Sequence, residues 1–123
     1  MTNLEVVQGI YAAFGEGNME KMASLFSDDW VGTVPEGHPI SGTYHGANDF
    51  IQNFLSKIPE VWPDFHMEPI AFFESGNTVF LHHKITTGGK TTEGVHMTVV
   101  RGGKALSWRP IDDTAALIST ANI

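Results

Sequence analysis

Cysteine is absent from the chain. Its absence excludes disulfides, thiolate nucleophiles and zinc sites built on sulfur. Positive charge is scarce: seven Lys and Arg stand against fourteen Asp and Glu, for a formal net charge of −7. Nucleic-acid backbones and anionic membrane surfaces call for clustered Lys and Arg, so neither is an expected partner. No apolar run approaches the ~20 residues of a membrane-spanning helix. Residues 1–20 have neither the basic start nor the apolar centre of a signal peptide, so a soluble cytoplasmic protein is expected. Repeats, low-complexity segments and linkers are also missing, and one domain over 1–123 is the expectation.

What is present is ordinary globular material. Of the 123 residues, 41% are hydrophobic and 17% charged, which is enough to build one buried core. Thr2 and Glu5 fit a capping box ahead of Leu4, Val7, Ile10, Tyr11 and Phe14, which recur at helical spacing. Asn18 can cap a second helix whose buried stripe is Met19, Met22, Leu25 and Phe26. Residues 29–34 (DWVGTV) read as a strand. Residues 35–46 hold so much Pro and Gly that they read as a loop, with His38 and His45 as exposed loop histidines. A third helix is predicted over 47–58, stopped by Pro59.

Four strands follow, over 66–74, 78–86, 91–100 and 104–111, joined by Gly-containing turns suited to hairpins. Asp113 is placed to cap a short closing helix. Helices segregated to one face of an antiparallel sheet make an α+β fold, and a curved sheet wrapped by three N-terminal helices encloses a pocket.

Three stretches carry a resemblance: VVQGIYAAFGEGNMEKMASLFSDDW, SGTYHGANDFIQNFL and TVVRGGKALSWRPIDDTAAL. Their order and spacing resemble SnoaL-like and ketosteroid-isomerase-like proteins of the nuclear transport factor 2-like superfamily, over roughly residues 4 to 118. The resemblance implies a cone-shaped α+β barrel with one deep apolar pocket, usually dimeric through the outer sheet face. It names no reaction, because this fold hosts isomerases, cyclases, hydrolases, dehydratases and non-catalytic binders.

Set against that pattern, the isomerase base falls on Val34, which cannot move a proton, and the phenol donor falls near Ile10, one place from Tyr11. The late-strand donor falls near His96. The late-strand aspartate best matches Asp112, while Ser107 stands where relatives often carry an acid. The hydrolase trio would need a second Asp beside Arg109 and Asp112, and Glu93 is the nearest carboxylate.

His96 and Asp112 are therefore the candidate catalytic residues, and Tyr11, Trp30, Gly32, Val34, Phe54, His82 and Trp108 the candidate ligand-binding ones. Gly32 is expected to leave room for a ligand. His82 and His83 are adjacent on a strand, so at most one reaches the cavity. No cofactor is implied, because no Gly loop sits in a strand-to-helix turn. No metal is expected either, since His82, His96 and Glu93 lack diagnostic spacing. The expected ligand is a small hydrophobic, carbonyl-bearing molecule that undergoes acid/base isomerisation, cyclisation or hydrolysis. The alternatives are a non-catalytic binder and a dimeric interaction domain whose cavity its own side chains fill.

Overall fold

In a computed structural model, which describes residues 1–122, the chain opens with α1 (Asn3–Gly15) and α2 (Met19–Ser24). The Thr2–Glu5 capping box forms in both directions. Asn18 Oδ1 accepts from the Lys21 amide at 3.0 Å. These caps satisfy amides that have no partner inside the helix, and they hold the short second helix in place.

α2 ends two residues before the apolar stripe does. Leu25 and Phe26 leave it, and Phe26 begins β1 (Phe26–Val34). Part of the expected 35–46 loop is a short strand, β2 (Gly42–His45), antiparallel to β1. The third helix is also broken. α3 (Gly46–Asn53) gives way to a 3-10 turn at Leu55–Lys57 and then to α4 (Ile58–Val61). Pro59 sits in the first turn of α4, where its missing N–H costs nothing, so it starts a turn rather than stopping a helix.

β3 (His66–Ser75), β4 (Thr78–Thr87), β5 (Lys90–Arg101) and β6 (Lys104–Ile111) form the expected run of hairpins. Between β5 and β6 the register runs Arg101 to Lys104, with Gly102 at φ 59° and Gly103 at φ 78°. Both central residues lie in the left-handed region, the turn that matches the twist of a hairpin. The Asp113 side chain caps α5 (Thr114–Thr120), accepting from Ala116 N at 3.1 Å.

The α+β architecture is as expected: one curved six-stranded sheet in the order β2-β1-β6-β5-β4-β3, with the helices against it. The sheet stays open at β2 and β3. It is mixed rather than wholly antiparallel, because β1 joins the outer side of β6 in the parallel sense. No tight turn links those two strands, so no hairpin dictates their relative direction. Among the described residues, no helix is long and apolar enough to cross a membrane.

α1 lies across β3 to β6, and α3 lies against β1 and β2. Between them the core packs Val6, Val7, Ile10, Ala13, Met22, Phe26, Trp30, Val34, Phe50 and Phe54. Alternation then sorts the strands. Val79, Leu81, His83, Ile85 and Thr87 of β4 turn inward, as do His96, Thr98 and Val100 of β5. Val95, Met97 and Val99, the wholly apolar row of β5, lie half-buried on the outer face.

Candidate functional site

Inside the sheet is a cavity walled by Tyr11, Trp30, Phe50, Phe54, Trp62 and Trp108, among other residues. It offers about 80 Å³ to the centres of water-sized molecules. That is space for more than one water, so the side chains do not fill it. The walls are apolar and carry a few polar groups: Tyr11, His38, His96, Thr98 and Asp112.

The polar end is built from three consecutive strands. In the ladder Leu81 faces His96, and His83 faces Gly94. Asp112 follows directly on Ile111, which pairs with Val95. To reach His83 on β4, the carboxylate must pass over β5, and it does so at Gly94. A Cβ there would stand 2.9 Å from the Ile111 carbonyl oxygen, 3.0 Å from His83 Cε1, and closer still to Asp112 Oδ1. A missing side chain on the middle strand is thus what brings the carboxylate to the imidazole.

His83 Nε2 lies 3.0 Å from Asp112 Oδ1, with His83 wholly buried and the Asp112 side chain 7% exposed. The approach is close enough for strong Coulombic coupling, but its angle falls short of a hydrogen bond, and neither atom has another partner. Burial works to raise the Asp112 pKa. The His83 imidazole and the imidazoles of His96 and His38 outweigh it and hold the carboxyl below its usual range.

The His96 ring packs against its neighbours, with its centroid 4.2 Å from that of His83, tilted at 49°, and 5.0 Å from that of Trp108, edge-on at 74°. Its Nδ1 is 2.6 Å from the Tyr11 hydroxyl, which also accepts from Trp108 Nε1 at 3.2 Å. Part of the Tyr11 ring borders the cavity, yet desolvation pushes its phenol pKa up, so the hydroxyl keeps its proton. That proton has an acceptor if Tyr11 donates to His96 Nδ1, and this assignment leaves the hydrogen of the neutral imidazole on Nε2. Burial first, and the neighbouring His83 second, push the His96 pKa down to about 3. At neutral pH His96 is an uncharged donor.

Of the residues named from the sequence, His96, Asp112, Tyr11, Trp30, Phe54 and Trp108 meet around this cavity. Gly32 does not line it. A Cβ on Gly32 would stand 2.5 Å from Trp30 Cη2, so the glycine makes room for the indole and not for a ligand. Val34 is 3% exposed and belongs to the packed core. His82 points to the outer face, where its Nε2 lies 2.7 Å from Glu93 Oε1. The imagined metal set of His82, His96 and Glu93 is therefore split between two faces of the sheet.

Two residues passed over in the sequence matter here. His83 is the inward neighbour of His82, and the row Val79, Leu81, Ile85 around it was the available signal. His38, expected to be exposed, is buried. Its Nδ1 accepts from Ile40 N at 3.2 Å, and its ring rests on Phe54 and Trp62. Burial lowers its pKa against the opposing pull of Asp112. No pattern in 35–46 foretold this, because irregular backbone has no period.

The family model of the SnoaL-like domain matches residues 7–108, and the chain belongs to that family. Among solved structures, an NTF2-like protein of unknown function from Burkholderia pseudomallei is 24% identical over the whole of both chains, with a TM-score of 0.86. An NTF2-like protein from Burkholderia thailandensis is 23% identical over 98% of this chain and 97% of its own, with a TM-score of 0.87. These two show the fold. TerC, co-crystallised with polyporic acid, is 29% identical over 96% of each chain, with a TM-score of 0.83. No curated protein matches the chain.

Proposed function

We propose that the protein binds a flat, largely apolar molecule bearing a carbonyl group and moves a proton on it. The observation that carries this reading is one ionised carboxylate, Asp112, beside one neutral imidazole donor, His96, in an otherwise aromatic cavity. Asp112 removes a proton from the carbon next to the carbonyl. The electron pair left behind moves onto the carbonyl oxygen, which accepts from His96 Nε2–H. Return of the proton at another carbon completes an isomerisation, and attack of the carbanion on a second carbonyl closes a ring.

His96 is thus a fixed donor and not the base considered from the sequence, since an imidazole with so low a pKa stays neutral. A carboxylate held below its usual range is a weak base. It suits a carbon acid activated by two carbonyls better than a simple ketone. That a relative was crystallised with polyporic acid supports an organic ligand for this fold.

The test is hydrogen exchange. Aromatic 1,3-dicarbonyl compounds that raise the melting temperature are incubated in D2O and followed by NMR. Deuterium is expected to enter the activated position, with the rate falling about 10²- to 10⁴-fold in Asp112→Asn. Exchange that survives Asp112→Asn unchanged overturns the assignment. Binding with no exchange above the uncatalysed rate favours the second reading, a non-catalytic binder. Val34, an inert core residue at the expected base position, is the observation that supports that reading.

The outer sheet face supports a homodimer. Phe73, Phe80 and Met97 form an apolar row across β3, β4 and β5, with Phe73 58% exposed.

A further inference from the structure

We propose that His83, His96 and Asp112 form a binding site for one divalent transition-metal ion in the wall of the cavity. One ligating atom from each lies within 4.8 Å of the others, and His83 Nε2 and Asp112 Oδ1 are 3.0 Å apart. An ion held at about 2.0–2.2 Å by each ligand sets neighbouring ligand atoms roughly 3.4 Å apart. The 3.0 Å separation and the 4.8 Å limit lie on either side of that value, so small side-chain rotations close the three groups on an ion.

Two further observations point to a cation. Both ring nitrogens of His83 and Asp112 Oδ1 are buried and have no hydrogen-bond partner. Folded proteins rarely leave such atoms unmatched, and a metal ion is one of the few things that satisfies imidazole and carboxylate lone pairs together. The second observation is charge. Among the described residues no Lys or Arg lines the cavity, so no fixed cation faces the Asp112 carboxylate there. A divalent ion supplies that charge.

Two imidazoles with one carboxylate suit Zn2+, Fe2+ or Co2+ better than Mg2+ or Ca2+, which prefer oxygen ligands throughout. His96 and Asp112 border the cavity, so a further position on the ion opens into it. Tyr11 completes the site as a positioning residue. With His96 Nε2 toward the ion, Nδ1–H would donate to the Tyr11 oxygen, reversing the direction of the 2.6 Å hydrogen bond between them. Gly94 keeps the space between the ligands clear. Metal and proton compete for the same lone pairs, so the ion-bound and the proton-transferring states of the site exclude each other, and each is tested separately.

The experiment uses untagged protein, stripped with a chelator, dialysed, and titrated with Co2+ and then Zn2+ by calorimetry and visible absorption, with no organic compound present. One equivalent of Co2+ is expected to bind and to be displaced by Zn2+. His83→Gln and Asp112→Asn should each weaken binding at least tenfold, and Tyr11→Phe by about 10- to 100-fold. His82→Asn, which removes the His82–Glu93 pair on the outer face, should leave binding unchanged.

Broadening by Mn2+ of the amide signals around Gly94, and not of those at His45 or His66, places the ion without any variant that has to fold. No stoichiometric binding overturns the proposal, as does binding that persists in both ligand variants, binding that disappears in His82→Asn, or broadening centred elsewhere. Because no organic compound is present, none of these results bears on hydrogen exchange, which is tested in the presence of a chelator.

Discussion

At the scale of single residues, the site depends on a side chain that is absent. Asp112 and His83 come from strands that do not touch, and Gly94 lies between them on the strand that separates them. Gly94→Ala should act twice. Crowding a tightly packed position typically costs about 1–3 kcal/mol, which urea unfolding would read as a lower midpoint. The same methyl displaces the Asp112 carboxylate, so deuterium exchange in the cavity should fall with it. An alanine variant as stable and as active as the parent would show that Asp112 does not need the path over Gly94. The histidines make a related point. His82 and His83 are adjacent and chemically identical, yet one pairs with Glu93 in solvent and the other is wholly buried against Asp112.

At the scale of elements, β1 shows how a strand is shaped by its own side chains. Trp30 lies flat over the strand, its ring 4.5 Å from Phe26 and 4.9 Å from Phe50, and it occupies the space that a side chain at residue 32 would need. Gly32→Ala should therefore destabilise the fold by about 1–3 kcal/mol, measured by chemical unfolding. Unchanged stability would show that the indole can yield and would restore Gly32 as open space beside the cavity. The helices on the same side of the sheet were legible in outline because a cap and an apolar stripe are local. Thr2, Asn18 and Asp113 all cap as their sequence positions suggest. The break of the third helix after Asn53 was not legible. Phe54, Leu55 and Ile58 continue a helical stripe, and only their packing against the core explains why the backbone tightens and restarts at Ile58.

At the scale of the whole molecule, the proposed homodimer would cover an apolar patch on the outer face of the sheet. Exposed Phe73 and Ile111 flank half-buried Val95, Met97 and Val99, and a second copy could present the same surface in return. Sedimentation at tens of micromolar should give about twice the 13.5 kDa chain mass, and Phe73→Glu should return it to one chain. A wild-type protein that sediments as a single chain would remove the dimer. The variant leaves the cavity intact, so ligand binding should survive if the cavity is complete within one chain.

Local physics written along the chain determined much of this protein by itself. Hydrophobic period, capping side chains and paired glycines specify the elements, their order, and the hairpins of the second half. Alternation also specifies that His96 and Thr98 share a face opposite Val95 and Met97. What alternation does not specify is which face is inside, because a strand has the same period from either side. Only the tertiary structure decided that. It turned the apolar row of β5 outward and its histidine inward, chose His83 over His82, buried His38 from an irregular loop, and set β1 parallel to β6. Each of these depends on contacts between residues far apart in the chain, and the site exists because Gly94 lets two of them meet.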